Sequence, residues 1–321
     1  MRRARLLPEP PAREDEHPMS TSETAAAPLP AEVVDLHCHG AVGHSFDDAD
    51  LEGLAAAVAH HRAHGTARLL LSLVSAPIDR LERRLRDLRA ALPALPGVAG
   101  VHLEGPFLAP ARRGAHDPAA LVPPSPEAVE RLLAAGEGIV RQVTLAPELP
   151  GAMDAVDAFV AAGVVVAVGH TEADHDVAAA AFDRGAQLVT HAFNAMPGLG
   201  HRAPGPVGAA LGRDHVALEV IADGVHVHPE VIRTLFAAAP RRVILVTDAM
   251  SATGLGDGEY RLGGLDVEVK DGRPVLAGTD TLAGSTLTME RAIEMATAAG
   301  VPLDLARAAA STVPARLLAR D

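Results

Sequence analysis

Short runs of branched apolar residues alternate along this chain with longer segments in which apolar residues recur every three or four positions. Eight of the short runs are candidate strands, at residues 33–40, 67–74, 98–105, 141–148, 164–171, 187–194, 217–224 and 242–249. The segments between them are rich in alanine, leucine and arginine, and several end in a glycine suited to a helix C-cap. Strands that alternate with amphipathic helices predict a parallel sheet.

Eight strands, each followed by a helix, predict an α/β protein with the architecture of a (β/α)8 TIM-like barrel over residues 33–321. In such a barrel the functional groups lie at the C-terminal ends of the strands. Residues 259–278 alternate between apolar and polar positions around the turn "KDGR", which predicts a β-hairpin inserted after the eighth strand. Residues 1–32 are polar and predict a flexible leader, within which Met19 is an alternative start.

Charge and cysteine content narrow the classes of partner. The formal net charge of -13 argues against non-specific binding to nucleic acid or to an anionic membrane, because both need a basic surface. The only cysteine is Cys38, which excludes an intramolecular disulfide and favours a reducing compartment, so we expect a cytoplasmic protein. No apolar stretch approaches the ~20 residues that span a bilayer, and the first 32 residues lack the apolar centre of a signal peptide.

Histidines and carboxylates lie at the C-terminal ends of the predicted strands, where a barrel carries its functional groups. Any one of them alone is as well explained as a satisfied polar residue at a strand end. Together they form a nitrogen and oxygen ligand set that suits zinc or a comparable divalent ion. These residues are His37 and His39 at the end of the first strand, Glu104 at the end of the third, His170 of the fifth, His191 of the sixth, Asp223 of the seventh with His226 shortly after it, and Asp248 of the eighth.

Other residues near these positions have simpler interpretations. Side chains two residues apart in a strand point to the same side, so His37 and His39 face the barrel axis together while Cys38 faces the helices as a packing residue. We expect His102, on the same strand face as Glu104, to lie one layer deeper and to support the ligand. A helical segment carries the histidines of "AHHRAHG", namely His60, His61 and His64, which we expect on a solvated face.

Eight short motifs occur in an order that closely resembles the N-acetylglucosamine-6-phosphate deacetylase family of the metal-dependent amidohydrolases. They are "DLHCHG", "HLEGPFL", "GAHDP", "VGHT", "THAFNAMPGL", "ADGVHVHP", "LVTDAM" and "AGSTLTM". The resemblance extends from Val34 to Leu318. It implies a barrel enzyme that removes acetate from the 2-acetamido group of a phosphorylated amino sugar.

The resemblance also implies a metal centre. It assigns a divalent metal to Glu104, His170 and His191, and makes Asp248 the catalytic acid and base. Members that keep the His-x-His motif hold a second ion, so His37 and His39 allow one or two ions per subunit with Glu104 as a bridge. Zinc is favoured, and iron, manganese and cobalt suit the same ligands.

Substrate contacts come from the same resemblance, carried over to matching positions. Asn194 and Ala195 match the phosphate site, and Arg202 matches an arginine that reaches the phosphate of a neighbouring subunit, which implies a homodimer. The remaining matches contact the substrate or form a loop over the sugar, with His116 placed near the acetyl carbonyl. They are Ala115, His116, His226, Leu282, Ala283 and Gly284.

The chain departs from the family in one respect and leaves two alternatives open. The family's accessory β-sandwich domain is expected to be absent, because only a polar leader precedes residue 33 and no returning strands follow the last helix. One alternative function is deacetylation of another N-acetylated amino-sugar phosphate, such as the galactosamine epimer. The other is a non-catalytic barrel that binds amino-sugar phosphate, against which the retained metal positions and Asp248 argue.

Overall fold

A computed structural model describes residues 32–319, so nearly all of the predicted leader lies outside the described residues. The strands of the described range are β1 (Val33–Asp35), β2 (Gly40–Ala41), β3 (His44–Ser45), β4 (Thr66–Leu73), β5 (Val98–Glu104), β6 (Val140–Leu145), β7 (Val165–Val168), β8 (Leu188–Val189), β9 (Ala217–Ile221), β10 (Val243–Val246), β11 (Gly258–Leu262), β12 (Leu265–Lys270) and β13 (Arg273–Leu276).

Eight of these strands form one parallel sheet in the order β1-β4-β5-β6-β7-β8-β9-β10. The ring closes just beyond the strand ends, where the Asp248 amide donates to the His37 carbonyl (2.8 Å) and Cys38 forms a parallel bridge with Ala249. Each of the eight predicted apolar runs overlaps one barrel strand, and most of these strands are shorter than the runs. The predicted (β/α)8 barrel is therefore confirmed.

Helices follow the barrel strands and cover the outside of the sheet. Several begin at a side chain that accepts a hydrogen bond from the first turn, such as Asp50, Ser125, Asp174 and Thr288. The helices are α1 (Leu51–Ala63), α2 (Ile78–Ala91), α3 (Pro126–Ala135), α4 (Ala152–Ala161), α5 (His175–Asp183), α6 (Gly205–Leu211), α7 (Pro229–Ala238), α8 (Met289–Ala298), α9 (Leu303–Ala309) and α10 (Thr312–Leu318). None of them is long and apolar enough to cross a membrane.

The interior of the barrel changes from apolar to polar beneath its C-terminal end. His102 is fully buried, with Nδ1 2.9 Å from the Ser72 hydroxyl and Nε2 2.8 Å from the Thr144 hydroxyl. Thr144 in turn lies 2.7 Å from the Thr190 hydroxyl. Hydroxyl groups thus face both ring nitrogens of His102, and its support of Glu104 stays a prediction.

A small antiparallel sheet follows the barrel where the sequence predicts a hairpin. The predicted turn joins β12 to β13, with Lys270 opposite Arg273. The structure adds β11, which pairs with β12 across a turn that contains Gly263 at a φ of 57°. Because glycine reaches this left-handed conformation freely, "LGGL" is a second turn, so the sheet has three strands. Within residues 32–319 the structure contains no β-sandwich domain.

The prediction that the histidines of α1 share a solvated face is wrong for His61. This residue is fully buried, donates from Nε2 to the Gly40 carbonyl (3.0 Å) and lies 3.1 Å from the Cys38 thiol. It continues the buried stripe of Leu54, Ala57 and Val58, whose spacing is that of one helix face. Cys38 itself is buried against α1, as predicted.

Candidate active site

Glu104, the last residue of β5, is the centre of a buried cluster of polar side chains. Its carboxylate is almost completely buried, at 3% exposure. Five histidines from four segments place their Nε2 atoms within 3.3 Å of its two oxygens. The Glu104 Oε1 distances are 3.1 Å to His170, 3.2 Å to His191 and 3.3 Å to His37, and the Oε2 distances are 3.2 Å to His39 and 3.3 Å to His116.

Asp248 joins this cluster from the opposite side of the barrel, two residues after β10. Its Oδ1 lies 3.2 Å from His39 Nε2 and 3.4 Å from His37 Nε2. The predicted ligands and the predicted acid and base therefore meet at one end of the barrel, although they come from segments more than 200 residues apart in sequence.

The separations within the cluster fit ligands of a common ion. The Nε2 atoms of His37 and His39 are 3.1 Å apart, and those of His170 and His191 are 3.0 Å apart. Nitrogen and oxygen ligands lie about 2.0–2.2 Å from zinc, which puts neighbouring ligands roughly 3–3.5 Å from each other. Two groups of candidate ligand atoms share Glu104. One contains His37 and His39, and the other contains His116 and His170.

Partners behind the rings decide which nitrogen of each histidine is free. His170 Nδ1 faces the Arg112 carbonyl at 2.8 Å, and because a carbonyl can only accept, this nitrogen carries the proton. His37 Nδ1 likewise faces the Glu219 carboxylate at 3.3 Å. Both arrangements leave the Nε2 lone pair directed toward Glu104, which is the tautomer that binds a metal.

His116 has the opposite tautomer, although it also lies beside Glu104. Its Nδ1 accepts a hydrogen bond from the Ser75 amide (3.1 Å), so the proton of the neutral ring is on Nε2. Burial lowers the pKa of His116 to about 4 against the opposing effect of Glu104, so the ring is neutral near pH 7. His116 is thus a hydrogen-bond donor, even though its position alone fits a ligand.

The carboxylates of Glu104 and Asp248 are both ionised, so this buried site favours the binding of positive charge. Burial alone raises the pKa of Asp248, but the charges and hydrogen bonds of His37 and His39 outweigh it and hold this pKa well below its usual range. Burial lowers the pKa of His39, but Asp248 and Glu104 outweigh it and raise this pKa to about 9. A divalent cation replaces such protons, because metal ligands bind in their deprotonated forms.

Three residues of the cluster have backbone conformations that are uncommon for residues other than glycine. The φ angles are 47° at His170, 27° at His191 and 50° at Asp248. Such left-handed conformations cost free energy and persist where the surrounding structure enforces them, which is typical of functional sites.

Two buried carboxylates that were not predicted from the sequence support the cluster. Glu219 in β9 is fully buried and accepts hydrogen bonds from Gln142 Nε2 (2.9 Å), His37 Nδ1 (3.3 Å) and the His191 amide (3.3 Å). Asp35 in β1 accepts from the Thr247 hydroxyl (2.6 Å), and burial raises the pKa of Asp35 to about 6. Asp35 interrupts the apolar run "VVDL", and Glu219 interrupts "ALEVIA". A carboxylate within an apolar strand was the only sign of these residues in the sequence.

A cavity of about 410 Å³ opens above the cluster. Glu104 and Asp248 lie on its wall together with His39, His170 and His191. The predicted substrate-binding residues that also line it are Ala115, His116, Asn194, Ala195, His226, Leu282 and Gly284.

Two predicted substrate-binding residues lie elsewhere. Ala283 is fully buried in the core under the small sheet, and its amide donates to the Pro274 carbonyl (3.2 Å). Arg202 is exposed on the loop before α6 and does not line the cavity.

His226 is oriented toward the cavity by Asp223. The His226 Nδ1 atom lies 2.6 Å from Asp223 Oδ2, and Asp223 Oδ1 accepts from the amides of Val225 and His226 (2.8 Å each). Burial raises the pKa of Asp223, but the hydrogen bonds and charge of His226 outweigh it and lower this pKa overall. The ionised carboxylate fixes the ring, which leaves Nε2 for a ligand in the cavity.

Comparison with known proteins identifies relatives along nearly the whole described chain. The Amidohydrolase family model matches residues 31–321. N-acetylglucosamine-6-phosphate deacetylase from Bos taurus is 38% identical over 299 residues, which are 89% of this chain and 73% of that protein. N-acetylgalactosamine-6-phosphate deacetylase from Escherichia coli O157:H7 is 36% identical over 95% of this chain and 81% of that protein.

Solved structures agree with these matches. A mutant of N-acetyl-D-glucosamine-6-phosphate deacetylase from Mycobacterium smegmatis, in complex with N-acetyl-D-glucosamine-6-phosphate, is 47% identical. Its TM-score is 0.87 over 90% of this chain and 77% of that chain. N-acetylglucosamine-6-phosphate deacetylase from Thermotoga maritima is 31% identical, with a TM-score of 0.83 over 90% of this chain and 78% of that chain.

Proposed function

This chain belongs to the amidohydrolase family, and we propose that it hydrolyses the acetamide of N-acetylglucosamine 6-phosphate to glucosamine 6-phosphate and acetate. The observation that carries the proposal is the position of Asp248. Its ionised carboxylate lies 3.2 Å from His39 Nε2, in a buried histidine and glutamate cluster on the wall of a cavity.

The residues that would hold metal are those of the cluster. We assign one ion to Glu104, His170 and His191, and a second to His37 and His39 with Glu104 shared. A bound divalent metal lowers the pKa of water and polarises the amide carbonyl. Zinc is our first choice for a histidine and carboxylate set, and iron, manganese and cobalt suit it as well.

The chain's own groups supply the proton transfers. Asp248 is ionised at neutral pH, so it can take a proton from the attacking water and return it to the departing nitrogen. His116 presents an Nε2–H to the site and can donate a hydrogen bond to the acetyl carbonyl oxygen, where negative charge develops. One base and one donor thus act on opposite ends of the same amide.

Substrate binding is assigned to the upper wall of the cavity. We place the phosphate near Asn194, Ala195 and His226, and the sugar beneath Leu282–Gly284. Because Ala283 is buried, it holds this loop in place through packing rather than through contact with the sugar. We propose that Arg202 serves a neighbouring subunit in a homodimer, which is consistent with its position outside the cavity of its own chain. The cytoplasm is the compartment that we propose.

The galactosamine epimer is a second candidate substrate. The supporting observation is the 36% identity, over 95% of this chain, with an N-acetylgalactosamine-6-phosphate deacetylase. The two sugars differ in the orientation of one hydroxyl group, so their relative rates decide between them.

The test is acetate release by metal-loaded protein from N-acetylglucosamine 6-phosphate, N-acetylgalactosamine 6-phosphate and unphosphorylated N-acetylglucosamine. We expect rapid release from the first sugar only, and Asp248→Asn should lower kcat by about 100- to 10,000-fold while metal content is unchanged. Faster release from the second sugar would favour the epimer. Binding without release from either phosphorylated sugar would favour a non-catalytic barrel.

A further inference from the structure

The cavity wall carries two arginines for which sequence reasoning gave no role, Arg112 and Arg273. A sugar phosphate is an anion, and the cluster below it contains two ionised carboxylates in a chain of net charge -13. A guanidinium group on the wall is the group best suited to bind a phosphate there, because its planar fork matches phosphate oxygens.

The backbone of Arg112 is fixed to a candidate metal ligand. Its carbonyl accepts the His170 Nδ1–H (2.8 Å), and the Ala109 amide donates to the His170 carbonyl (2.9 Å). The Arg112 amide also donates to the Ala109 carbonyl (2.9 Å), which closes one turn of 3-10 helix over Pro110–Arg112. The backbone of Arg112 is therefore held at a fixed distance from His170. A substitution of the Arg112 side chain leaves these backbone hydrogen bonds in place.

The guanidinium of Arg112 is not saturated by its surroundings. Its Nε atom is buried and has no hydrogen-bond partner within residues 32–319. The carboxylate of Glu172, at 3.6 Å, is close enough for an ion pair but too distant for a hydrogen bond, and the two side chains are 39% and 53% exposed. Arg273 differs, since it donates to the Asp280 carbonyl at 3.4 Å.

We propose that Arg112 binds the phosphate group of the substrate within its own subunit and leaves Glu172 when it does so. This inference rests on the proposed function, whose phosphate site it completes. It makes the selection of phosphorylated over unphosphorylated sugar a property of each subunit, alongside any contribution of Arg202 from a neighbour.

The test measures binding of N-acetylglucosamine 6-phosphate by calorimetry to metal-loaded protein in an Asp248→Asn background, where turnover is suppressed. Adding Arg112→Ala should weaken binding by roughly 10- to 100-fold, the usual effect of losing charged hydrogen bonds. Arg113→Ala is the matched control, because Arg113 is exposed, lies outside the cavity wall and carries the same charge; it should change binding by less than about 2-fold. Glu172→Gln should strengthen binding, since it removes the competing carboxylate.

Equal dissociation constants for the Arg112→Ala and Arg113→Ala proteins would overturn the proposal, above all if Arg202→Ala weakened binding instead. Binding is measured separately from acetate release, so the two hypotheses can fail separately. If Arg112→Ala abolishes binding but the parent protein releases no acetate, the proposed function is overturned and the phosphate site is kept. If the parent protein releases acetate but Arg112→Ala binds the sugar phosphate normally, the phosphate site is overturned and the proposed function is kept.

Discussion

At the scale of single residues, the hydrogen-bond partner behind each imidazole decides what that ring can do. Glu219 and the Arg112 carbonyl accept hydrogen bonds from the Nδ1–H groups of His37 and His170, which prepares both rings as ligands. The Ser75 amide donates to His116 and makes that ring a donor. Of three histidines that contact the same carboxylate, two are thereby prepared as ligands and one as a hydrogen-bond donor.

Glu219→Gln tests the role of the partner behind His37. A neutral amide accepts the His37 Nδ1–H less strongly, so the second ion should bind about 10- to 100-fold more weakly while the ion at His170 and His191 stays bound. Metal content after dialysis against graded metal concentrations measures this. Glu268→Gln, on the exposed face of β12, is the control. Equal loss of both ions would contradict the separate role of Glu219.

His61→Gln tests the buried histidine behind the cluster. Burial lowers the pKa of His61 to about 4, so the unfolded chain binds the proton more readily and the free energy of unfolding falls as pH drops from about 6.5 toward 4. Between pH 7 and pH 5 this residue alone should account for about 2 kcal/mol. The variant should therefore lose less stability over that range, and His60→Gln should have a smaller effect in the same direction, because His60 is only partly buried and its pKa is also lowered. Denaturant unfolding at both pH values decides this.

At the scale of elements, the small sheet supports the loops that form the cavity wall. Val267 and Val269 on one face of β12 are buried together with Ala115, Met250 and Ala283. Ala115 precedes the donor His116, Met250 follows Asp248 by two residues, and Ala283 lies between Leu282 and Gly284, which line the cavity. One apolar core thus fixes three parts of the site that are distant in sequence.

Val267→Ala tests this support. Removing two buried methyl groups should cost roughly 1–3 kcal/mol, mostly within the small sheet, because the barrel core is a separate cluster. We expect faster amide hydrogen exchange over residues 280–286 and a lower kcat/KM, with a smaller effect on exchange in β4 and β5. Glu268→Ala on the exposed face of the same strand should change neither. Uniformly faster exchange throughout the barrel would contradict local support.

At the scale of the whole molecule, the site exists only when the barrel closes. The Asp248 amide donates to the His37 carbonyl, so the first and last strands meet at the cluster itself. The candidate ligand atoms come from the last residue of β5 and from the segments after β1, β7 and β8, and Asp248 meets them from the segment after β10. An ion bound among them therefore joins distant parts of the chain and stabilises the folded state over the unfolded one.

Metal removal should consequently lower the melting temperature as well as activity. At a metal concentration about 1,000-fold above Kd, binding adds roughly 4 kcal/mol, which corresponds to a change of roughly 5–10 °C for a chain of this size. Thermal scans of loaded, chelated and reloaded protein measure this, with circular dichroism to show that the chelated barrel stays folded. An unchanged melting temperature after verified metal removal would mean that the cluster is stable without the ion.

The sequence by itself determined the barrel and the location of its chemistry. Apolar runs and helical periods are local patterns, and the carboxyl ends of parallel strands meet at one rim. The positions of Glu104, His170, His191 and Asp248 along the chain were therefore enough to expect them together.

Only the tertiary structure decided the finer chemistry, because each such feature depends on contacts between distant segments. The tautomer of His116 is set by Ser75, the burial of His61 by the loop at Gly40, and the accessory role of Glu219 by the approach of His37. Similarly, the folded chain places Arg112 on the cavity wall and Arg202 outside it. Hydrogen-bond direction and burial are properties of neighbours in space, and a linear pattern does not contain them.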